Sequence, residues 1–384
     1  MSSPSVTVVI AAHDGQDFLA EAIESIRSQT LEDIELLVVD DGSRDGTEAV
    51  AAAHAERDAR VRVIRGSFGS AGAARNAGWR EARSPYVAIL DQDDLAYPDR
   101  LALQRAYLDA HPDVAAVGAL CDVIDARGRK SGSTGDTSGV VDFRGKVAPN
   151  FHIVHSTAMI RRLVLEEVGG YLEIPGTACE DTDLFLRIGE RYLLAGIPQS
   201  AGAWRVHGAN SSEDVGRMVR WSLATQAAHR LRTLGRPDPL ERRGSPVEPT
   251  LAELRALGVG PSDYARTLFA THLLWTRLSL AVGDLTGAES HLCAARETRF
   301  GRTVQEVSRL RFAEAAVAHA TGRRVRTVRK VAASVLLSPS TAVKEAKHPV
   351  LGGLGRRGYA ALPQGWKGPL APVRDRAVAL LNRG

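Results

Sequence analysis

Three carboxylates lie within four positions directly after a short apolar run. The run covers residues 87–90, and the acids are Asp91, Asp93 and Asp94. An uninterrupted apolar run of this kind is typical of a strand buried on both faces of a parallel sheet. Carboxylates this close repel one another and raise each other's pKa unless a cation lies among them. The cluster favours a Mg²⁺ or Mn²⁺ site for a phosphate-bearing ligand, although an isolated Asp-x-Asp is more often a polar helix cap.

Two earlier strands are also followed by polar side chains. The β-branched run 6–10 leads to His13 and Asp14, and the run 34–39 leads to Asp40 and Asp41. Strands and helices alternate with short connections through residue 90, which predicts a doubly wound, mostly parallel α/β sheet. Because the carboxyl ends of parallel strands meet at one edge, we expect all three polar groups to lie there.

Composition and missing motifs exclude several classes of protein. No Gly-x-Gly-x-x-Gly follows the first strand and no suitable Gly-Lys-Ser/Thr occurs, which argues against ordinary dinucleotide and P-loop sites. The three cysteines are far apart and in no ligand spacing, as expected of reduced thiols. Residues 1–5 lack the basic and apolar regions of a signal peptide, so we expect none, and no apolar run of about 18 residues occurs. These features predict a cytoplasmic protein.

The second half of the chain has a different pattern. After residue 215 the apolar residues recur at helical spacing, so we expect a catalytic domain over 1–214 and an all-α C-terminal region over 215–384. Residues 323–384 contain thirteen Lys and Arg against two acids, a charge of +11, which leaves −7 for the rest of a chain of net charge +4. This basic tail indicates an anionic partner such as the inner face of a membrane, or else a solvated basic surface.

Seven short motifs occur in an order that resembles the inverting family 2 glycosyltransferases, which have the GT-A fold. The resemblance covers residues 6–212, about 55% of the chain. They are Val-Val-Ile-x-x-x-Asp at 8–14, Asp-Asp-Gly-Ser at 40–43, Gly-x-x-Arg-Asn-x-Gly at 72–78, Leu-Asp-Gln-Asp-Asp at 90–94, Val-Gly-Gly-Tyr at 168–171, Glu-Asp-x-Asp-Leu at 180–184 and Trp-Arg-x-His at 204–207.

The resemblance implies a nucleotide-sugar donor, with a UDP-type donor favoured. Asp41 would accept a hydrogen bond from a uracil-type base beside Ala11 and His13. Arg75 would donate to a phosphate or sugar hydroxyl, since its guanidinium presents a fork of donors. Asp91 would hold the donor sugar or support the acid cluster.

The resemblance also implies a metal and a base. Asp93 and Asp94 would bind Mn²⁺ or Mg²⁺, which screens the diphosphate as it leaves, and His207 would lie near the metal or the diphosphate. Asp181 would remove the proton of the acceptor hydroxyl, with Glu180 as the alternative base. The expected reaction is a single displacement that inverts the anomeric centre.

The expected acceptor is a glycan or a lipid-linked molecule of polysaccharide or cell-envelope synthesis, presented at a membrane by the basic tail. Nucleic acid is not expected, because aromatic residues are not interleaved with the basic ones. Two alternatives stay open at this point. One is a nucleotidyltransferase of similar topology, and the other is a non-catalytic scaffold that binds nucleotide sugars.

Overall fold

The computed structural model describes residues 4–134, 139–148, 153–208, 210, 213–240 and 248–323, together with 330, 333, 334, 338 and 341. The strands in chain order are β1 Val6–Ala12, β2 Ile34–Asp41, β3 Val61–Gly66, β4 Tyr86–Ile89, β5 Leu95–Ala96, β6 Val114–Ile124, β7 Lys130–Thr134, β8 Gly139–Val141, β9 Met159–Arg161 and β10 Leu193–Arg205. The helices are α1 Leu19–Arg27, α2 Thr47–Arg57, α3 Ala71–Arg80, α4 Arg100–Ala110, α5 Arg162–Val168, α6 Glu180–Gly189, α7 Val215–Thr233, α8 Leu251–Ala256, α9 Pro261–Val282, α10 Leu285–Glu297 and α11 Val304–Ala320.

The central sheet has strand order β3-β2-β1-β4-β9-β6-β10-β5, with β8 beside β10. Strand β1 pairs in parallel with both β2 and β4, and β2 pairs in parallel with β3. In the β1–β2 register Ala12 lies opposite Asp40, so these strands end at the same edge. The predicted convergence of the first strand ends is therefore confirmed.

Helices cover both faces of this sheet. One core contains the inner faces of α1 and α4, and the other contains those of α3, α5 and α6. Every residue of β4, and all but Ala11 of β1, is buried, because side chains on either face meet a helix layer. The doubly wound α/β class expected from the alternating strands and helices is confirmed.

Helix α3 lies unusually close to its neighbours because two glycines face them. A Cβ at Gly72 would collide with the carbonyl oxygen of Leu172, and one at Gly78 would collide with Val9 and Val39. The side chain of Ser70 caps the helix by accepting from the backbone N–H of Ala73 at 3.1 Å. This close packing sets the height of the whole helix above the sheet.

Strand β10 is longer than its sequence pattern predicts. The alternation of apolar and polar residues is typical of a strand only over 203–207, whereas the strand in the structure runs from Leu193 to Arg205. Its pairing with β6 shifts register between Ile197 and Ser200 and again between Ser200 and Gly202. This irregularity contains Pro198 and breaks the alternation of side chains, which is why the strand is difficult to recognise.

The chain divides into two compact units. The first comprises the chain up to Ile124, Thr134–Arg205 and Arg220–Gly258, and the second comprises Asp125–Ser133, Val206–Val219 and the chain from Val259 onward. In the second unit α9, α10 and α11 share a core. The described part of the C-terminal region contains helices only beyond β10, as expected. Among the residues described, no helix is long and apolar enough to cross a membrane. Most of the basic tail, 323–384, lies outside the described residues.

Candidate active site

The loop after β4 carries the acid cluster at the carboxyl edge of the sheet. Asp94 is 1% exposed, and its Oδ1 accepts a hydrogen bond from the backbone N–H of Arg205 at 2.8 Å. Burial raises the pKa of Asp94, and the charges of Asp93 and Asp91 raise it further. A cation close to this loop would relieve that repulsion.

Asp91 lies in the same loop but in a different electrostatic environment. Burial disfavours its charge, but His155 and Arg75 outweigh this effect and hold the pKa of Asp91 well below its usual range. The hydroxyl of Ser156 lies 2.9 Å from Asp91 Oδ2 and also contacts Asp94 Oδ2. Because a hydroxyl carries one proton, Ser156 can donate to only one of the two carboxylates at a time.

The end of β10 fixes this loop from the other side. The guanidinium of Arg205 is fully buried; its Nε donates to the backbone oxygen of Asp93 at 2.8 Å, and its NH2 donates to Glu21 Oε2 at 2.8 Å. The same guanidinium lies 4.8 Å from the centre of the Phe18 ring. The loop that carries the acids is therefore held by both backbone and side-chain contacts.

The ends of β1 and β2 form the part of the edge expected to bind a base. Ala11 pairs with Val39, and one residue beyond β1 the Nδ1 of His13 lies 2.9 Å from the backbone oxygen of Asp41. The His13 side chain is 60% exposed. An exposed imidazole at this strand end can stack on a planar ligand.

One oxygen of the Asp41 carboxylate already accepts hydrogen bonds within the protein. Its Oδ1 accepts from the backbone N–H of Gly69 at 3.0 Å and from that of Phe68. These bonds fix the loop after β3 against the end of β2. Any contact of Asp41 with a ligand would therefore be made by a carboxylate of fixed orientation.

Arg75 joins two acids that are far apart in sequence. From α3, its NH2 donates to Asp91 Oδ1 at 2.8 Å and its NH1 donates to Glu180 Oε1. Burial opposes the charge of this guanidinium, but Asp91 and Glu180 outweigh burial and raise the pKa of Arg75. The family resemblance implies a contact of Arg75 with a phosphate or a sugar, which stays a prediction; in this structure Arg75 bridges the loop after β4 to the start of α6.

Helix α6 presents three acids in its first turn, Glu180, Asp181 and the buried Asp183. Glu180 pairs with Arg75, whereas Asp181 forms no ion pair among the residues that the structure describes. Asp181 Oδ1 accepts from the backbone N–H of Thr182 at 2.6 Å. The helix dipole favours negative charge at this end. The geometry leaves Asp181 as the acid that can take a proton from a ligand without breaking an ion pair.

The inner face of α6 is held by buried charges. Asp183 is fully buried, and its Oδ2 accepts from Arg187 Nε at 2.7 Å. Arg187 also donates to the backbone oxygens of Val168 and Gly170, and Arg232 of α7 lies 3.6 Å from Asp183 Oδ1. Burial raises the pKa of Asp183, while Arg187 and Arg232 oppose that rise. These contacts fix the helix that carries Asp181.

His207 follows β10 and belongs to the second compact unit. Its backbone N–H donates to Asn210 Oδ1 at 2.6 Å. Its role near a metal stays a prediction. Within the described ranges, no three His, Cys, Asp or Glu side chains are already arranged to hold a metal ion.

Two polar residues of this edge were not predicted from sequence. His155 and Ser156 lie on a 3-10 turn, His155–Thr157, and both contact the acid loop. The amino-acid pattern at 156–160 is typical of a short strand, whereas the strand in the structure begins only at Met159. The sequence signal that could have indicated this contact is the run of three polar residues at 155–157 between apolar ones. Buried polar side chains need hydrogen-bond partners, so such a run predicts a polar site nearby.

Comparison with known proteins places the chain in a family. A family model described as glycosyl transferase family 2 matches residues 7–169. EpsE of Bacillus subtilis (strain 168), named as a glycosyltransferase, is 33% identical over 192 residues, which is 49% of this chain and 68% of EpsE. The chain belongs to glycosyltransferase family 2. The predicted resemblance is thus confirmed, and the matched range of this family 2 member ends before α6.

Other similarities cover smaller parts or are more remote. The succinoglycan biosynthesis protein ExoO of Rhizobium meliloti (strain 1021) is 40% identical over 126 residues, 33% of this chain and 36% of ExoO. Among solved structures, S. aureus TarS 1–349 in complex with UDP-GlcNAc has a TM-score of 0.48 and 16% identity, over 78% of this chain and 93% of that one. The family 2 member therefore spans about two thirds of EpsE and about one third of ExoO.

Proposed function

We propose that this family 2 member is a metal-dependent, inverting glycosyltransferase that moves a sugar from a nucleoside-diphosphate donor to an acceptor hydroxyl. The observation that supports this most strongly is the bridge made by Arg75 between Asp91 and Glu180. It brings a loop suited to a diphosphate and its metal next to a helix that begins with a candidate base. Neither the loop alone nor the helix alone would support the transfer of a sugar.

Asp93 and Asp94 would hold Mn²⁺ or Mg²⁺, and His207 is the further predicted ligand. The donor set fits a hard divalent cation, since carboxylate oxygens dominate it. The observation on which this fit rests is the crowding of carboxylates in one loop, where Asp94 is buried close to Asp93 and Asp91. When bound, the metal would supply positive charge to the leaving diphosphate.

The nucleotide would lie along the ends of β1 and β2. Asp41 would accept from the base, and Ala11 and His13 would form the adjacent surface. The family resemblance favours a UDP-type donor, and the Asp41 carboxylate can accept from the N3–H of a uracil ring. Asp91 would hold the donor sugar through its fixed carboxylate.

Asp181 would act as the general base. It would accept the proton of the acceptor hydroxyl as that oxygen attacks the anomeric carbon, and the bond to the diphosphate would break on the opposite face. Glu180 is the weaker candidate because its Oε1 is already bound by Arg75. Glu180 would instead help Arg75 to keep the two halves of the centre together.

The acceptor is proposed to be a glycan or a lipid-linked molecule of polysaccharide or cell-envelope synthesis. The +11 charge of residues 323–384 would attract an anionic membrane, since each Lys or Arg near such a surface contributes about 1 kcal/mol. Co-sedimentation with anionic liposomes, lost in high salt and on truncation after Gly322, would support this part. Equal sedimentation with neutral liposomes would contradict it.

The proposed reaction can be tested without knowing the acceptor. Thermal melting with UDP-glucose, UDP-N-acetylglucosamine and GDP-mannose, each with Mn²⁺ and with a chelator, should reveal a metal-dependent rise, since ligands that bind only the native state stabilise it. Water can then replace the acceptor. The first sugar released from an α-linked donor should be the β anomer by NMR; release of the α anomer would contradict inversion, and binding without release would favour the scaffold alternative.

A further inference from the structure

His155 is a buried histidine whose two ring nitrogens face two different polar groups. Its Nδ1 lies 3.3 Å from Asp91 Oδ1, and its Nε2 lies 3.0 Å from the hydroxyl of Tyr171. The side chain is 8% exposed, and the rings of Tyr171 and Phe185 contact it edge-on. None of the roles proposed above uses this imidazole.

The carboxylate of Asp91 determines which ring nitrogen carries a proton. A lone pair on Nδ1 would face an anion, whereas an N–H at the same place donates to it, so Nδ1 is the protonated nitrogen. In the neutral ring Nε2 is then an acceptor, and the Tyr171 hydroxyl can donate to it. Burial raises the pKa of Tyr171, so this hydroxyl keeps its proton.

Tyr171 is itself held by a residue of α3. The side chain of Asn76, which is fully buried, accepts from the backbone N–H of Tyr171 at 2.8 Å and donates to its backbone oxygen at 2.8 Å. A chain of contacts therefore runs from Asn76 through Tyr171 and His155 to Asp91. Each member restricts the orientation of the next one.

We propose that His155 is a positioning residue that orients the Asp91 carboxylate toward the donor sugar. The inference rests on the proposed function, in which Asp91 holds that sugar. Arg75 donates to Oδ1, the Nδ1 of His155 lies 3.3 Å from the same oxygen, and Ser156 lies beside Oδ2. Arg75 lies on α3, whereas His155 and Ser156 lie on one 3-10 turn, and together these groups fix the plane of the carboxylate. Without His155, Asp91 keeps its ion pair with Arg75 but can rotate about it.

The proposed hydrogen bond from His155 Nδ1 to the Asp91 carboxylate can be tested without any ligand. In ¹⁵N-histidine-labelled full-length protein, the spectrum of the variant His155→Asn identifies the signals of His155 by their loss. We expect a protonated Nδ1 in the wild type. An unprotonated Nδ1 would mean that His155 does not donate to Asp91 and would overturn the inference.

The positioning role is tested by two matched variants. In His155→Asn the side-chain amide takes the place of Nδ1 and can still donate, whereas His155→Leu has similar bulk and no donor. The probes are UDP-glucose, UDP-N-acetylglucosamine and GDP-mannose, each compared with UDP or GDP as the sugar-free ligand. We expect His155→Leu to weaken nucleotide-sugar binding about tenfold, the effect of losing one hydrogen bond to a charged group. His155→Asn should stay within about threefold of the wild type.

The sugar-free ligands distinguish positioning from general damage. UDP or GDP should bind both variants as well as the wild type, because Asp91 is proposed to contact the sugar and not the diphosphate. Equal losses for both ligands, or equal behaviour of His155→Leu and His155→Asn, would overturn the positioning role. A wild-type protein that binds none of the three donors would contradict the proposed function instead, while the ¹⁵N spectrum would still decide the hydrogen bond.

Discussion

The two halves of the catalytic sheet hold their acidic side chains in different ways. Around β1 and β2, backbone N–H groups of neighbouring loops bind the carboxylates. Asp41 accepts from Gly69, and Asp14 accepts from the N–H of Arg44 at 2.7 Å. Backbone donors are always charge-neutral and stay in place when a side chain is replaced. The orientation of the carboxylates in this half therefore depends little on any single side chain.

Around β9 and α6, side chains from distant segments bind the acids. Glu180 and Asp91 share Arg75, and Asp183 is held by Arg187 and Arg232. Each such contact is lost when one side chain changes, and the remaining charge stays buried. The half of the sheet that is proposed to carry the base should therefore be the more sensitive to side-chain substitution. Substitutions there should have the larger effects.

The largest expected effect is that of Asp181→Asn. It should leave the affinity for the donor nearly unchanged and reduce turnover by about two to four orders of magnitude, the usual cost of a lost general base. Glu180→Gln is the matched variant. It should reduce turnover only about tenfold, since the proposed role of Glu180 is to hold Arg75. Steady-state kinetics, together with separate measurements of donor binding, would show whether Asp181 or Glu180 is the base. Normal turnover in Asp181→Asn with none in Glu180→Gln would exchange the two roles.

Next in size is the loss of stability on removing Arg232. Its guanidinium contacts Asp183, Glu190 and Asp238, and the loss of this shared cation from buried carboxylates should cost about 3–5 kcal/mol in the free energy of unfolding, although Asp183 keeps its contact with Arg187. Chemical denaturation of Arg232→Met would measure it.

The control is Arg144→Met, because the Arg144 side chain is 49% exposed and pairs with a carboxylate that is also exposed. An exposed ion pair contributes about 0–1 kcal/mol. Equal destabilisation by Arg232→Met and Arg144→Met would show that the buried charges do not hold this half together.

A smaller effect is expected where the two halves meet. Arg75→Lys keeps the positive charge but cannot bind Asp91 and Glu180 with one planar fork, so turnover should fall about 10- to 100-fold. Arg80→Lys lies on the same helix, where its side chain is 54% exposed, and should be nearly neutral. Wild-type turnover in Arg75→Lys would argue that the bridge is not needed.

The smallest effect concerns the helical unit, where burial and His291 lower the pKa of His272 to about 4. In the unfolded chain a histidine titrates near 6.5. Between about pH 6.5 and 4 the unfolded chain binds a proton that the folded chain refuses, so stability falls as the pH falls through this range.

The difference in melting temperature between pH 7 and pH 5 should therefore be smaller in His272→Leu than in the wild type, by about 2 °C. His111→Gln, at an exposed position, should keep the wild-type difference. A full wild-type difference in His272→Leu would contradict the assignment.

The contrast between the halves also explains what the sequence could predict. The acids at 40–41 and 91–94 follow apolar strands directly, so local pattern alone placed them at one edge of the sheet. Their partners could not be found in this way. Arg75 and Glu180 are 105 positions apart, and His155 contacts an acid 64 positions earlier. Such pairs become neighbours only when β4, β9 and β6 are side by side.

The central claim is that the loop after β4 binds a nucleoside diphosphate through a divalent metal. Calorimetric titration of UDP and GDP into the wild type and Asp93→Asn, each with Mn²⁺ and with a chelator, tests it most directly. We expect the wild type with Mn²⁺ to bind at least one of the two ligands, and to lose about tenfold or more in affinity with chelator or in Asp93→Asn. Equal affinity under all four conditions would contradict the claim.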